Sequence, residues 1–489
     1  MTHEALLALA LAVPAAGAAL IALLHRRPNL REAVSLAAAA LLFGALLALA
    51  TPVLDGERPA LRLIEVLPPL AIALELEPLG LLFALIASGL WFVSTIYSIG
   101  YMRGNRESHQ GRFFACFALA IGCAIGVALA GNLLTLYLFY EALTLVTYPL
   151  VTHHGDEEAR RGGRTYLALL LASSILFLLP AMAVTWSLAG TLDFTPGGLL
   201  ATKVSGPGAA LLLALYAFGI GKAALMPIHR WLPAAMVAPT PVSALLHAVA
   251  VVKAGVFSLV KVVVYVFGTG FNADAFSWLP WVAGFTILAA SVVALRSDNL
   301  KRRLAYSTVS HLSYVVLAAA ILAPHSLTGA ALHIAAHAFS KITLFFAAGS
   351  IYTAAHKTEV SQLDGIGRRM PITMAAFTVG ALSLIGIPPF VGFLGKWFIL
   401  LGALESQHWF AVTVLFVGTL LSAGYLLPVV YVAFFRPVPQ EGAHRTYGEA
   451  PAPIVIALSL SAAGTVLLFF FPEKAFALAQ ALAGIAARN

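Results

Sequence analysis

The 489-residue chain is 61% hydrophobic and only 10% charged, with a mean hydropathy of +0.92, whereas soluble domains carry about 25% charged residues. That balance excludes a soluble enzyme and predicts an all-α integral membrane protein, helical throughout. The formal net charge of +8 comes from basic residues scattered singly and in short clusters between apolar runs. This is the pattern of topology signals, not of a nucleic-acid surface, so no nucleic-acid partner is expected. Two cysteines, Cys116 and Cys123, are too few for an iron–sulfur cluster or a zinc site; no cofactor and no metal is expected.

In chain order, apolar runs of about 20 residues, enough to span a bilayer, fall at 4–24, 32–52, 78–101, 113–130, 133–151, 165–189, 208–227, 241–268, 277–295, 304–323, 327–354, 371–403 with a break, 409–435 and 452–472. They predict about fourteen transmembrane helices in one polytopic domain, 1–489. The stretches 53–77 and 436–451 read as connectors. The first run follows MTHE, which lacks the basic segment of a secretion signal, and precedes HRRPNLR, so it is expected to stay as the first helix. Basic residues collect in alternate loops, as at Arg26, Arg27, Arg103, Arg160, Arg161, Lys301, Arg302 and Arg303. The positive-inside rule makes those loops cytoplasmic and both termini external, in a bacterial inner membrane.

Five basic residues fall inside the spans instead, and all are lysines: Lys222, Lys253, Lys261, Lys341 and Lys396. A charge at bilayer depth costs about 3 kcal/mol, so such residues usually face a partner or a wet path. Lysine gives up its proton readily when buried and arginine does not, so a lysine-only set suits proton exchange. Glu141 lies midway along NLLTLYLFYEALTLVTYPLV as the one carboxylate within a span; it reads either as a neutral structural carboxyl or as a partner for a lysine. His333, His337 and Lys341 are spaced i, i+4, i+8, along one helix face, which makes either a satisfied polar seam or a proton relay. His247 adds an imidazole upstream of Lys253 and suits a relay or a packing role. No carboxylate or cysteine stands at ligand spacing beside these histidines, which argues against a metal.

Prolines interrupt two of the runs, at Pro227, Pro233, Pro239 and Pro241 and again at Pro388 and Pro389. Freed carbonyls at membrane depth are tolerated only where protein or trapped water satisfies them, and paired breaks five helices apart suggest an inverted repeat. Two five-helix units are expected, 113–268 and 277–435, each with a broken helix. Lys261, near the end of its run, is expected to snorkel to the interface. Lys301, Arg302 and Arg303 read as an orientation signal. Ser310, His311, Ser313 and Tyr314 either line the path or cap and pack, and stand outside the core set.

Four stretches, DNLKRRLAYSTVSHLSY at 298–314, WLPAAMVAPTPVSALLHAVAVVKAG at 231–255, HAFSKITLFFAAGSIY at 337–352 and IGIPPFVGFLGKW at 385–397, closely resemble the antiporter-like proton-translocating subunits. These are shared by Mrp-type multisubunit cation/proton antiporters, the membrane arm of respiratory complex I and membrane-bound hydrogenases. The resemblance covers roughly residues 75 to 435. It implies that Glu141 pairs with Lys222 and that His247, Lys253, His333, His337, Lys341 and Lys396 carry the proton onward. It also implies partners: other membrane subunits of a hetero-oligomeric complex, the bilayer, protons and Na+. The first expectation is a Na+/H+ antiporter subunit of the Mrp D type. Alternatives are a proton-pumping subunit of a complex I-like NADH–quinone oxidoreductase or hydrogenase, and a subunit of a proton-coupled inorganic carbon uptake complex. The Gly-Lys pair at 221–222 lacks the spacing of a phosphate loop, so an ATP-driven pump is not expected. No catalytic centre is expected in the chain itself, although it is expected to serve either a transporter or a redox enzyme.

Overall fold

The computed structural model describes residues 2–68, 70–271, 273–438 and 448–486. Helices form where apolar runs meet capping residues. α1 (His3–Leu23) begins after Thr2, whose hydroxyl accepts from the Ala5 amide at 3.3 Å, and α2 (Pro28–Ala48) begins on a proline. α3 (Pro78–Gly104) is capped by the Glu77 carboxylate. α4 (Gln110–Ala128) and α5 (Leu133–Val151) pack as a hairpin. α6 runs over Glu157–Ala189 from its Asp156 cap, through a π-turn at Ser174–Leu178. α7 (Gly206–Gly219) is short, and α8 occupies Thr240–Phe267, with π-turns at Leu245–Val249 and Val262–Phe267. Then come α9 (Leu279–Arg296), α10 (Leu300–Ala320), α11 (Pro324–Ala355), α12 (Pro371–Ile385) and α13 (Gly392–Glu405). The chain closes with α14 (Trp409–Phe435), α15 (Ala452–Phe470) and α16 (Glu473–Ala486).

Among the described residues, 12 helices are long and apolar enough to cross a membrane, so the protein is a multi-pass membrane protein. Two of the expected spans are broken. α7 stops at Gly219 and single turns carry the chain to Val237, while residues 386–391 separate α12 from α13. The prolines lie in both gaps, where they withhold amide donors that a continuing helix needs.

Two elements correct the expectation of a chain helical throughout. Within 53–77, β1 (Ala60–Leu67) pairs antiparallel with β2 (Leu70–Glu75), Ala60 opposite Glu75 and Leu67 opposite Leu70. A search for runs of 20 apolar residues passes over strands of six to eight. The sheet is anchored to the start of α5: the Ala73 amide donates to Thr135 Oγ1 at 2.9 Å and Asn132 Nδ2 donates to the Ala71 carbonyl at 2.8 Å. The second is α16, which lies beyond the last expected span and packs on α3 and α11.

Burial sorts the helices into an interior and a rim. The apolar windows of α8, α10 and α11 are 100%, 94% and 94% buried, against 33% for α1, α6 and α15. The interior helices carry most of the in-span histidines and lysines, as expected where lipid satisfies no polar group. Basic loops meet at one end, where Arg31 donates to Gln110 at 2.9 Å and Arg112 to the His153 carbonyl at 3.0 Å. The β-hairpin and the connection after α6 mark the other.

Candidate functional site

The first break places Lys222. It sits in the turn Gly221–Ala223 just after α7, fully buried. Its ammonium donates to the Tyr140 carbonyl at 2.7 Å and to Thr144 Oγ1 at 2.6 Å and lies 3.2 Å from the centre of the Tyr140 ring, and its amide donates to the Tyr140 hydroxyl at 3.0 Å. Gly255 of α8 permits this seat, because a Cβ there would lie 2.2 Å from the Lys222 carbonyl carbon. The expected direct pairing with Glu141 is not what the structure holds. No ion pair within 4.0 Å joins them, and the Glu141 Oε1 is buried without a hydrogen-bond partner. The reason is helical phase: Tyr140 and Thr144, at i and i+4, share the face that meets Lys222, and Glu141 lies about 100° around from Tyr140.

α8 carries His247 and Lys253 into the interior. His247 lies in the first π-turn with its ring 4.8 Å from that of Phe345 and both nitrogens unpartnered; π-turns are frequent at functional sites. Lys253 Nζ contacts His337 Nδ1 on α11 directly. This contact joins the stretch 113–268 to the stretch 277–435. His337 is 5.7 Å, centre to centre, from His311 of α10, and His311 Nδ1 is 3.4 Å from His333 Nε2. Lys341, one turn after His337, donates to the Leu304 carbonyl at 3.1 Å and to Ser307.

The second break places Lys396. Its ammonium donates to the Ile385 carbonyl, freed where α12 ends, at 3.0 Å, and to Thr419 of α14 at 3.1 Å. It also lies 5.0 Å from the centre of the Tyr314 ring, which is 5.7 Å from that of His333. Gly395 lets α13 press on α11, since a Cβ there would be 2.9 Å from His333 Cα. A groove of about 140 Å³ opens beside Lys396, with Trp397 and Phe416 on its rim.

Lys253, His333, His337 and Lys396 thus form one string, with Lys222 at its first-stretch end and Lys341 and His247 to its sides. His311 and Tyr314 belong to it too, although their sequence context alone sets them outside the core set. Ser307, Ser310, His311 and Tyr314 recur at i, i+3, i+4 and i+7 on an apolar helix, and that stripe is the signal in the sequence that could have found them. Lys261 does not snorkel: it is buried and ion-paired to Glu77 at 3.5 Å. Lys301 is more than an orientation signal, donating to the Ala238 carbonyl at 2.7 Å on the wall of a cavity of about 390 Å³ at the basic end. Glu107, His154 and Asp156 line the same cavity, and the hydrogen bond to Glu107 raises the His154 imidazole above its ordinary range. Chemically, the string offers buried amines and imidazoles bonded to neutral acceptors, each able to hold or release one proton without stranding a carboxylate.

Comparison with known proteins agrees with this arrangement. Residues 130–422 match the family described as "NADH:quinone oxidoreductase/Mrp antiporter, TM", and residues 69–114 match "NADH-Ubiquinone oxidoreductase (complex I), chain 5 N-terminus". The chain is 34% identical over 463 residues to NADH-quinone oxidoreductase subunit N of Desulforudis audaxviator, covering 91% of each chain. It is 30% identical over 404 residues to a Na(+)/H(+) antiporter subunit of Bacillus subtilis, covering 78% of this chain and 50% of that one. In fold it is similar to a chain of the Mrp complex from Dietzia sp. DQ12-45-1b, with a TM-score of 0.86 at 22% identity, covering 99% of this chain and 97% of that one. The chain belongs to the NADH:quinone oxidoreductase/Mrp antiporter family of membrane subunits.

Proposed function

We propose that this chain passes protons laterally through the membrane as one member of a multisubunit ion-translocating complex. The observation that carries the reading is the Lys253–His337 contact, a buried amine against a buried imidazole, joining two stretches that each hold a lysine beside a broken helix. The units are 113–268 and 277–435, related by inversion. The cavity at the basic end admits protons, that end faces the cytoplasm of a bacterial cell, and both termini face outward.

In the geometry seen, Lys222 rests on neutral oxygens while Glu141 stands apart. Approach of the Glu141 carboxylate stabilises the Lys222 cation, and its withdrawal lets burial expel the proton toward Lys253. The charge then moves through His337, His311 and His333 to Lys396, with a bridging water at steps longer than a hydrogen bond. Each charge crossing the membrane trades about 2.3 kcal/mol per 100 mV. A pairing change worth one or two pKa units, about 1.4 kcal/mol each, is of that size.

Two drivers fit. An Mrp-type antiporter, with this chain in the place of the D-type member, exchanges protons for Na+; the relatives bearing Na(+)/H(+) and K(+)/H(+) antiporter names support it. A redox complex is favoured by the match along 91% of both chains to a member of a quinone oxidoreductase. The deciding experiment purifies the complex through a tag on this chain, identifies the co-purifying subunits, and records proton movement in vesicles after a Na+ pulse or after a quinone with its reductant. Na+-evoked movement in a preparation without redox subunits establishes the antiporter; quinone-dependent movement with flavin or iron–sulfur subunits establishes the redox pump. Movement under neither condition, in an intact complex, contradicts proton translocation.

A further inference from the structure

Of the five in-span lysines, Lys261 alone has a carboxylate within ion-pair distance among the described residues. Its ammonium is 3.5 Å from Glu77 Oε1, and the two side chains are 1% and 3% exposed. The other four rest on neutral groups: Lys222 on Tyr140 and Thr144, Lys253 on His337, Lys341 on Leu304 and Ser307, Lys396 on Ile385 and Thr419. An amine on neutral acceptors can discharge and keep its place. Lys261 cannot, because its loss of a proton would leave the Glu77 carboxylate buried and uncompensated.

The surroundings hold both charges in place. Glu77 accepts from the amides of Leu79 and Gly80 at the start of α3, at 2.9 and 3.0 Å, and from the Tyr265 hydroxyl at 3.0 Å. Lys261 donates to the Ala130 carbonyl just past the end of α4, at 2.7 Å, and lies 4.6 Å from the centre of the Phe194 ring. The carboxylate therefore caps a helix N-terminus and the ammonium sits near a helix C-terminus, the ends that favour each sign. Those two helix ends abut, since a Cβ on Gly80 would lie 2.4 Å from the Ala128 carbonyl oxygen. Arg58 and Glu75, paired at 3.2 Å, add the nearest other charges on the hairpin side. Along α8, Lys261 follows Lys253 by eight residues, a rise of about 12 Å toward the hairpin end.

We propose that the Glu77–Lys261 pair is a fixed-charge plug at the hairpin end of the first unit, with Lys261 a positioning residue that takes no part in proton exchange. A permanently occupied ammonium offers no acceptor to a proton leaving Lys253 outward, so the proton goes sideways to His337. The plug rests on the proton-translocating reading given above.

The test uses the purified complex, with this chain at full length, in proteoliposomes. Passive proton conductance under an imposed K+ diffusion potential is measured beside driven transport. Lys261→Arg is expected to keep transport within about twofold of wild type with no added leak, because a guanidinium holds the same charge beside Glu77. Glu77→Gln keeps an oxygen for the capping bonds but removes the counter-charge, and is expected to raise the leak severalfold. Lys261→Met is expected to do the same. Lys261→Arg as inactive as Lys261→Met would mean that Lys261 must discharge, and overturns the plug; so would wild-type leak in both Glu77→Gln and Lys261→Met. Should Glu77→Gln fail to assemble, the contrast of Lys261→Arg with Lys261→Met decides alone. Lys222→Ala, run in the same vesicles, separates two failures. If it leaves transport intact the translocation reading falls, and if it abolishes transport while the plug variants do not leak, only the plug falls.

Discussion

Lys222→Ala is expected to reduce driven proton transport on the order of a hundredfold, the usual size of losing a positioned proton carrier, while the complex still assembles. The ammonium is the only group of residue 222 that reaches Tyr140 and Thr144 by its side chain, and the backbone link from its amide to the Tyr140 hydroxyl survives truncation. The seat against Gly255 is likewise made by backbone atoms. Packing is therefore lost only at the tip, and charge entirely. Glu141→Ala is expected to give the same loss without direct contact, since a carboxylate that approaches and withdraws is what changes the lysine's charge. Quenching of a pH-sensitive dye in inverted vesicles reads both. Wild-type quenching by Lys222→Ala at matched assembly would remove it from the path, and wild-type quenching by Glu141→Ala would remove the pairing.

Lys396→Arg is expected to fail almost as badly as Lys396→Ala. The ammonium of Lys396 ends on a carbonyl that the break after α12 has freed and on the Thr419 hydroxyl, both neutral. Arginine would keep the positive charge and make the same kinds of bond, but a guanidinium does not deprotonate at any accessible pH. A fixed-charge or structural lysine at this point would tolerate the exchange, as Lys261 is expected to. Transport retained in Lys396→Arg and lost in Lys396→Ala would return Lys396 to a structural reading. Opposite behaviour of arginine at 261 and 396 is what separates a charge that stays from one that moves.

Charges within apolar runs are the legible part of the sequence. A lysine among alanines and valines stands out because the bilayer gives it nothing to bond to, and the breaks at 220–239 and 386–391 are marked by proline chemistry acting locally. What escapes are properties of packing. His311 acquires meaning only when α10 lies against α11 and brings it to His333. Glu77 looks like an ordinary residue near a helix start until the fold sets Lys261 beside it. The sequence places Glu141 on α5, but which residues of that helix face Lys222 depends on its rotation, and they are Tyr140 and Thr144. The hairpin is lost to the length of the elements sought, since its strands alternate too briefly to register among twenty-residue runs.

Passage of the proton from one unit to the other at Lys253 and His337 is tested most directly by a double-mutant cycle on driven transport with Lys253→Met, His337→Gln and both together, at matched assembly. If the two act as consecutive carriers, each single change should lower transport on the order of a hundredfold and the double variant should be no worse than the more damaged single one, because a severed path cannot be severed twice. Transport near wild type in either single variant, or losses that multiply in the double, would contradict passage through this contact.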